Sequence, residues 1–455
     1  MRKKLLSAIL ASAMVLGCLA GCGSSNTATP EADTKEAEVT TSEQGKVLNI
    51  YCWNDEFKTR LENLYPGYEV VDATNGKIGD VEVKWNITPS DDNAYQNNLD
   101  ETLLKQADAA ADDKVDLFLL EADYAVKYVD TEYTMPVADL GITEEDTANQ
   151  YQYTKDIVTD SNGTLKGLSW QGCPGVLIYN REAAKEVLGT DDPAKVQESV
   201  KDWDTFLATA ATMKDKGYKM VSSVNDIYRV FSDNVTSKWV EDGKINIDAN
   251  IMKWVEVSKQ MVDAGETDTF ELWSDDWNKG FYPDGKVFCY FGPAWLIDFC
   301  MAADVEGSIA NLGGWGATEG PQAFSWGGTW ITAAAGTDNA DLVKDIMLKL
   351  TCDESIMTEI VKQYNDFVNN KPAMEAMAAD TEYKSAVLGG QNALAMFCNG
   401  ADASSKEFLS AYDQACTEEI QNNMKAYFDG TASMEDALAG FEKAVLEKHP
   451  DLKAE

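Results

Sequence analysis

The sequence predicts an α/β fold that is large enough to form two lobes. The start of the folded body alternates apolar strand patterns with helical ones, as in a parallel sheet with helices on both faces. A second pattern of strand, turn and strand begins near residue 167 and indicates a second sheet. The body, residues 46–455, is also long enough to bury two separate cores.

The first sheet can be followed strand by strand. Apolar strands are predicted at residues 47–52, 81–87 and 115–120, with helices at 54–65 and 91–111 between them. Ligand sites in such sheets lie beyond the carboxyl ends of the strands. Polar residues with an aromatic neighbour follow the first and third strands, and we expect these residues to line a cleft: Trp53, Asn54, Glu56, Glu121, Asp123 and Tyr124.

The second sheet begins after a Gly-Cys-Pro-Gly break at residues 172–175, with a strand that leads into a helix from Arg181. Asp202 is expected to cap the next helix, over 203–216, and Gly217 to end it. The remaining elements are predicted in chain order as helix 250–264, strand 286–291, short helix 294–301, strand 325–335 and helix 408–428. Apolar residues at four-residue spacing predict one buried face on the last of these helices.

The N-terminal segment has the layout of an export signal. A cationic start is followed by an apolar run at residues 5–19, which is short for a membrane span. Small residues then lead directly into Cys22, and this arrangement resembles a bacterial lipoprotein signal. We expect cleavage of residues 1–21, lipidation of Cys22, and a disordered tether over residues 22–45. The alternative is a plain signal peptide with an incidental cysteine.

Composition excludes several classes of function. The formal net charge of −39 makes nucleic acid a poor partner, whereas a neutral ligand is unaffected and a cationic one is attracted. His449 is the only histidine, so a zinc site with two histidines is impossible and no histidine-based triad is indicated. No phosphate-binding glycine motif is present, and no cofactor is expected. Seven cysteines remain in the body, and we interpret them as small buried apolar residues.

Several longer stretches resemble a known family. "GLSWQGCPGVLIYNREAAKEVLG" followed by "DWDTFLATAATMKDKG", then "DGKVFCYFGPAWLIDF", "WGGTWITAAAGTDNADLVKDIMLKLTCDESIM" and "ASMEDALAGFEKAV" are similar to segments of extracellular solute-binding proteins of family 1, the maltodextrin-binding type of sugar ABC transporter. The resemblance implies the type II periplasmic-binding-protein-like fold, in which each of two lobes is a mixed, mostly parallel sheet flanked by helices, and crossing hinge strands join the lobes. It implies an N-terminal lobe of residues 46–172 with 322–368 and a C-terminal lobe of 173–321 with 369–455.

The resemblance also implies the function. The protein would capture a neutral oligosaccharide between its lobes by hinge closure and deliver it to an ABC permease, as a monomer anchored outside the cell membrane by lipid alone and without enzymatic activity. Flat aromatic faces suit sugar rings, and charged acceptors bind their hydroxyl groups. Trp residues at turns or strand ends complete the predicted site, together with one glycine: Trp170, Trp273, Trp295, Trp315, Trp326 and Gly327.

Two alternatives remain open at the level of sequence. A cationic cargo such as a polyamine would suit the acidity and an aromatic cage. A secreted glycoside hydrolase would use two carboxylates and needs no histidine. An amino-acid cargo is less favoured, because none of the three arginines of the body, Arg60, Arg181 and Arg229, is in a recognised cleft position. The segment 218–268 matches no family motif, although it should line part of the cleft.

Overall fold

A computed structural model describes residues 45–453, and the predicted signal, lipidation site and most of the tether lie outside these residues. The β-strands are β1 Val47–Cys52, β2 Tyr68–Val70, β3 Asn75–Ile78, β4 Val81–Ile87, β5 Leu117–Glu121, β6 Leu168–Ser169, β7 Val176–Asn180, β8 Lys219–Val221, β9 Val240–Glu241, β10 Lys244–Ile245, β11 Val287–Gly292, β12 Trp315–Thr318 and β13 Thr329–Ala333.

The α-helices are α1 Glu56–Leu64, α2 Ala94–Leu103, α3 Ala125–Val129, α4 Gln152–Ile157, α5 Arg181–Leu188, α6 Pro193–Val200, α7 Trp203–Asp215, α8 Tyr228–Ser232, α9 Ala249–Ala264, α10 Asp275–Asn278, α11 Ala340–Thr351, α12 Glu354–Tyr364, α13 Lys371–Ala379, α14 Leu394–Ala403, α15 Asp413–Phe428 and α16 Met434–Lys448. Short 3₁₀ turns connect several of them, and Leu296–Cys300 forms a π-helical turn after β11.

Two sheets organise the chain. The larger has the strand order β2-β3-β4-β1-β5-β13-β6, and the smaller has the order β12-β7-β11-β8. In the larger sheet β1 runs parallel to β4 and β5, whereas β13 is antiparallel to β5 and β6. In the smaller sheet only β11 and β8 are parallel, so this sheet is less parallel than the sequence predicts. We call the larger sheet with its helices the first lobe and the smaller sheet with its helices the second lobe.

Both faces of the central strands are covered, which explains why β5, β7 and β11 are almost continuously apolar rather than alternating. In β7, Val176 and Ile178 face one apolar core, and Leu177 and Tyr179 face another. In β5, Leu117 and Leu119 face the first of these cores, while Phe118 and Leu120 face a third core beneath α2 and α3.

Three crossing segments, residues 170–175, 324–328 and 366–369, run side by side between the lobes. The amide of Gly172 donates to the carbonyl of Phe367 at 3.0 Å, and the amide of Gly175 donates to that of Phe324 at 2.8 Å. A Cβ atom on Gly175 would lie 2.1 Å from the ring of Phe324, so only glycine permits this close approach. The Gly-rich break in the sequence therefore allows the crossing segments to pack.

Local predictions can be compared directly with these elements. Asp202 caps α7 through a capping box, and Gly217 follows the helix with φ +83°. The β2–β3 hairpin was not predicted, because its strands are short and polar. The helix predicted from residue 408 begins only at Asp413, although its buried face was placed correctly. Ser274 caps α10, and Asp275 and Asp276 lie in its first turn.

The seven cysteines of residues 45–453 are all free. Cys52, Cys173, Cys289 and Cys416 are buried, and the other three are partly buried. Within the same residues no helix is long and apolar enough to cross a lipid bilayer.

Candidate functional site

A main cavity of about 800 Å³ lies between the two lobes. On the first lobe its wall comes from the segments that follow β1 and β5, at the carboxyl ends of the parallel strands. On the second lobe the wall comes from the segment after β11, from residues 269–273 and from one face of α15. The crossing segments contribute Gln171 and residues 326–328. The cavity is thus where the sheet topology predicts a ligand site.

The structure brings nine of the twelve predicted site residues together in the main cavity: Trp53, Asn54, Glu56, Glu121, Asp123, Trp273, Trp295, Trp326 and Gly327. Tyr124 is buried and lines a smaller adjoining cavity of about 240 Å³. These placements are geometric, and the ligand-binding role of each residue stays a prediction.

Trp170 and Trp315 do not line the main cavity. Trp170 stacks on Phe57 with ring centroids 5.4 Å apart, and Trp315 packs edge-on against Tyr290 at 5.8 Å. Side chains alternate along a strand, so Trp315 faces the same core as Ala317 in β12. Both tryptophans are placed by packing in the core rather than at the cavity wall.

Three tryptophans form a cluster on the cavity wall. The ring of Trp326 lies 5.0 Å from that of Trp295 and 5.8 Å from that of Trp273. Trp273 is 48% exposed and rests edge-on against Trp277 at 5.1 Å. The indole Nε1 of Trp277 donates to Asp226 at 2.7 Å. The cluster therefore presents flat apolar faces to the cavity on a hydrogen-bonded support.

Trp273 holds an unusual backbone conformation, with φ +70°. A bulky residue in the left-handed region is strained, and such strain persists where the surroundings impose it, often at ligand sites. Trp273 thus presents its ring at the cavity despite a backbone that favours glycine.

Asp123 and Arg229 form an ion pair across the cavity. Arg229 Nη1 donates to Asp123 Oδ1 at 2.7 Å, and Arg229 Nη2 donates to Asp123 Oδ2 at 2.5 Å. Asp123 follows β5 of the first lobe, and Arg229 belongs to α8 of the second lobe. None of the three arginines was expected at a cleft position, and this was wrong for Arg229, which lines the cavity. Its helix, α8, lies in the segment without a recognisable motif, so no sequence pattern indicated this position.

A polar network lies beneath the main cavity. Gln171 Nε2 donates to Glu56 Oε1 at 2.8 Å and to Asp366 Oδ2 at 3.1 Å. Arg60 Nη2 lies 3.2 Å from the same Glu56 oxygen and 3.5 Å from the same Asp366 oxygen. One cation and one amide therefore hold two buried carboxylates where α1 meets the crossing segments.

Burial raises the pKa of several carboxyl groups near the site. Burial is the main cause of the raised pKa of Glu121, and the negative charge of Asp123 raises that pKa further. Burial is also the main cause of the raised pKa of Glu56, where the positive charge of Arg60 opposes the change. Burial also raises the pKa of Asp226, the acceptor of Trp277, to about 7. The pKa of Asp298, in the turn after Trp295, is likewise raised to about 7 by burial, while a hydrogen bond from Asn365 opposes the change.

These shifts predict that stability rises as the pH falls from 8 to 5. In this range the folded protein holds protons on Asp226 and Asp298 that the unfolded chain has released. Their stabilising contribution is therefore fully present below the unfolded pKa and is lost as the pH rises through 7. Asp298→Asn keeps an oxygen that can accept from Asn365, so we expect higher stability at pH 8, little change at pH 5 and a flatter profile.

Thermal unfolding midpoints between pH 5 and 9 test this prediction. Asp341→Asn, at an exposed position in the first turn of α11, is the matched control. Stability that increases from pH 5 to pH 8, or an unchanged slope in Asp298→Asn, would contradict it.

Sequence reasoning missed a set of polar residues on the second lobe. They come from the segment without a motif, from the stretch before Trp273, and from the polar face of α15: Asn225, Arg229, Thr269, Glu271, Gln421, Asn422 and Lys425. The apolar residues of α15 recur at helical spacing, so the sequence predicted its buried face. The polar residues on the opposite face have no pattern that distinguishes contact with a ligand from contact with solvent.

The fold and the cavity define a two-lobe binding protein. The model of the bacterial extracellular solute-binding protein family matches residues 69–388, and the chain belongs to that family. The family consists of substrate-binding proteins rather than enzymes, and it places the chain outside the cytoplasm. No curated protein matches the chain in sequence.

Solved structures show the same fold at low sequence identity. An extracellular solute-binding protein of family 1 matches with a TM-score of 0.71 and 16% identity, over 88% of this chain and 99% of that one. A binding protein of an ABC transporter from B. animalis subsp. lactis Bl-04, in complex with β-1,6-galactobiose, matches with a TM-score of 0.66 and 17% identity, over 90% and 100%. The galacto-N-biose/lacto-N-biose I-binding protein of an ABC transporter from Bifidobacterium longum matches with a TM-score of 0.67 and 13% identity, over 91% of this chain and 100% of that one.

Proposed function

We propose that this protein captures a neutral oligosaccharide in the main cavity and delivers it to an ABC permease. Binding would bring the lobes together by rotation at the crossing segments, because the ligand contacts both walls and so favours the closed arrangement. No covalent chemistry is involved. The lobe boundaries given above, a monomeric state and attachment through lipid at Cys22 are parts of the same proposal.

The observation that carries the proposal is the combination of a tryptophan cluster with charged acceptors in one cavity. Trp273, Trp295 and Trp326 offer apolar faces to the C–H surfaces of sugar rings. Glu121 and Asp123 line the same cavity, and their carboxyl oxygens are the proposed acceptors for hydroxyl groups. A volume of about 800 Å³ lies within the range that holds ligands of drug-like size, which suits a short oligosaccharide.

Solved relatives support the same class of cargo. Two of the structures with this fold are described as binding β-1,6-galactobiose and lacto-N-biose, both neutral disaccharides. At 17% and 13% identity, these two structures support the class of neutral oligosaccharides.

A cationic cargo is the second candidate. Glu56, Glu121, Asp123 and Glu271 line the cavity beside aromatic rings, an arrangement that can attract an ammonium group. Two of these carboxylates, however, are already paired with Arg60 and Arg229, and Lys425 adds a further positive charge to the wall. The cavity thus favours a neutral ligand over a polyamine.

Titration of the predicted body, residues 46–455, tests the proposal. We expect saturable changes in tryptophan fluorescence with one or more neutral oligosaccharides of a broad panel, because four indoles line the cavity. Chromatography of the same samples should recover the sugar intact. A saturable fluorescence change with spermidine, and none with any of the sugars, would favour the second candidate instead.

A further inference from the structure

The Asp123–Arg229 ion pair stands where three cavities meet. Besides the main cavity, a second cavity of about 250 Å³ and a third of about 240 Å³ lie between the lobes. Asp123 and Arg229 line all three of them. The pair is therefore the boundary between the main cavity and the space beyond it.

The guanidinium of Arg229 is held on several sides. Both of its terminal nitrogens donate to Asp123, in the two-bond geometry that is stronger and more directional than a single contact. The same group lies 6.0 Å from the ring centre of Trp326 and 5.9 Å from that of Tyr228. A ligand that extended past this point would have to break a charge-assisted pair and displace a packed side chain.

The second cavity has the chemistry to accept a further sugar unit. Asp233 forms an ion pair with Lys406 in its wall, and Asp233 Oδ2 accepts from the amide of Ser325 at 2.7 Å. Phe408, which is partly exposed, adds aromatic surface. The space beyond the ion pair thus offers charged and hydroxyl-bonding groups together with apolar faces, as the main cavity does.

We propose that the Asp123–Arg229 pair determines the length of the saccharide that is bound. This inference rests on the proposed function and adds a specificity determinant to it. With the pair in place, the ligand ends at the main cavity. Without it, the main and second cavities become continuous, and longer saccharides gain contacts that shorter ones cannot reach.

The double variant Asp123→Ala/Arg229→Ala tests this role, because removing both partners leaves neither charge unpaired. Calorimetric titrations would use maltose to maltohexaose and a β-1,6-galacto-oligosaccharide series. Both residues also line the main cavity, so the overall affinity can fall. The readout is the ratio of the affinity for the pentasaccharide to that for the disaccharide, which we expect to rise at least tenfold over wild type.

Two further variants sharpen the experiment. Lys259→Ala/Asp263→Ala removes an ion pair within α9 that lines none of the described cavities, and it should leave the ratio unchanged. Arg229→Lys keeps the positive charge but loses the two-bond geometry, so it should give an intermediate ratio even if the double variant does not fold.

The outcomes separate the two claims. The length determinant would be overturned if wild type binds saccharides and the double variant shows the same length preference. If only Arg229→Lys folds, an unchanged preference in that variant has the same meaning. Either result leaves the proposed function intact. Absence of binding to every saccharide by wild type would overturn the proposed function, and the length determinant with it.

Discussion

Arg60→Met is expected to lower the free energy of unfolding by about 3–5 kcal/mol at pH 8, the range found when one partner of a buried ion pair is removed. Arg60 is 7% exposed and is the cation nearest to both Glu56 and Asp366. Its guanidinium also lies 4.2 Å from the ring centre of Tyr364. Methionine fills much of the same space but leaves Glu56 with only Gln171 as a side-chain donor, and Asp366 with Gln171 and the backbone amide of Phe367.

The loss should depend on pH. Burial raises the pKa of Glu56 and of Asp366, while Arg60 opposes the change in both. Without Arg60 the pKa of each carboxyl group rises further, so both groups hold protons more readily at pH 5. We therefore expect a smaller loss at pH 5 than at pH 8, because protonation removes the unpaired charges.

Urea unfolding of wild type and variants at both pH values measures this effect. Lys362→Met is the matched control, since it removes a cation from the exposed Lys362–Glu359 pair, where the loss should be below about 1 kcal/mol. A second test places Arg60→Met in a Glu56→Gln/Asp366→Asn background, in which the loss should shrink. Equal losses for Arg60→Met and Lys362→Met at pH 8 would show that the network does not hold the fold.

Trp273→Gly is expected to weaken saccharide binding roughly ten- to one-hundredfold, as for a central aromatic contact, while hardly affecting stability. Trp273 is 48% exposed, so the core loses little when its ring is removed. Its φ of +70° is favourable for glycine and strained for tryptophan, and the relief of strain should offset the lost contacts with Trp277 and Trp326. Binding and stability should therefore respond separately.

Calorimetric titration and thermal unfolding of the same samples check this separation. Asp242→Gly is the matched control, because it makes the same kind of backbone change at φ +50° in the exposed β9–β10 turn, away from the described cavities. It should leave sugar affinity unchanged. Unaltered affinity in Trp273→Gly would remove Trp273 from the proposed site, whereas a collapse of stability would show that its role is mainly structural.

Much of the first lobe could be predicted from the sequence. The strands at residues 47–52, 81–87 and 115–120 are apolar runs bounded by polar segments, and the structure contains β1, β4 and β5 at or within two residues of these positions. Their parallel pairing then placed Trp53 and Glu121 at one edge of the sheet, where the cavity lies. This reasoning succeeded because strand pattern and sheet topology together determine which strand ends meet.

The smaller sheet was harder to predict. Its strands β7, β11 and β12 are apolar on both faces, so their sequences carry no sign of direction or order. Pairing between strands that are distant in the chain decides both, and the result is mostly antiparallel.

The sequence by itself determined the α/β class, the strands of the first lobe and the polar residues at their carboxyl ends, because local patterns of apolar residues and turns suffice for these. Only the tertiary structure decided which tryptophans face the cavity: Trp273 and Trp295 do, whereas Trp170 and Trp315 are buried in the core. It also brought Arg229 to Asp123 from 106 residues away in the chain. Contacts between distant segments depend on how the two lobes pack around the crossing segments, and no local pattern records that packing.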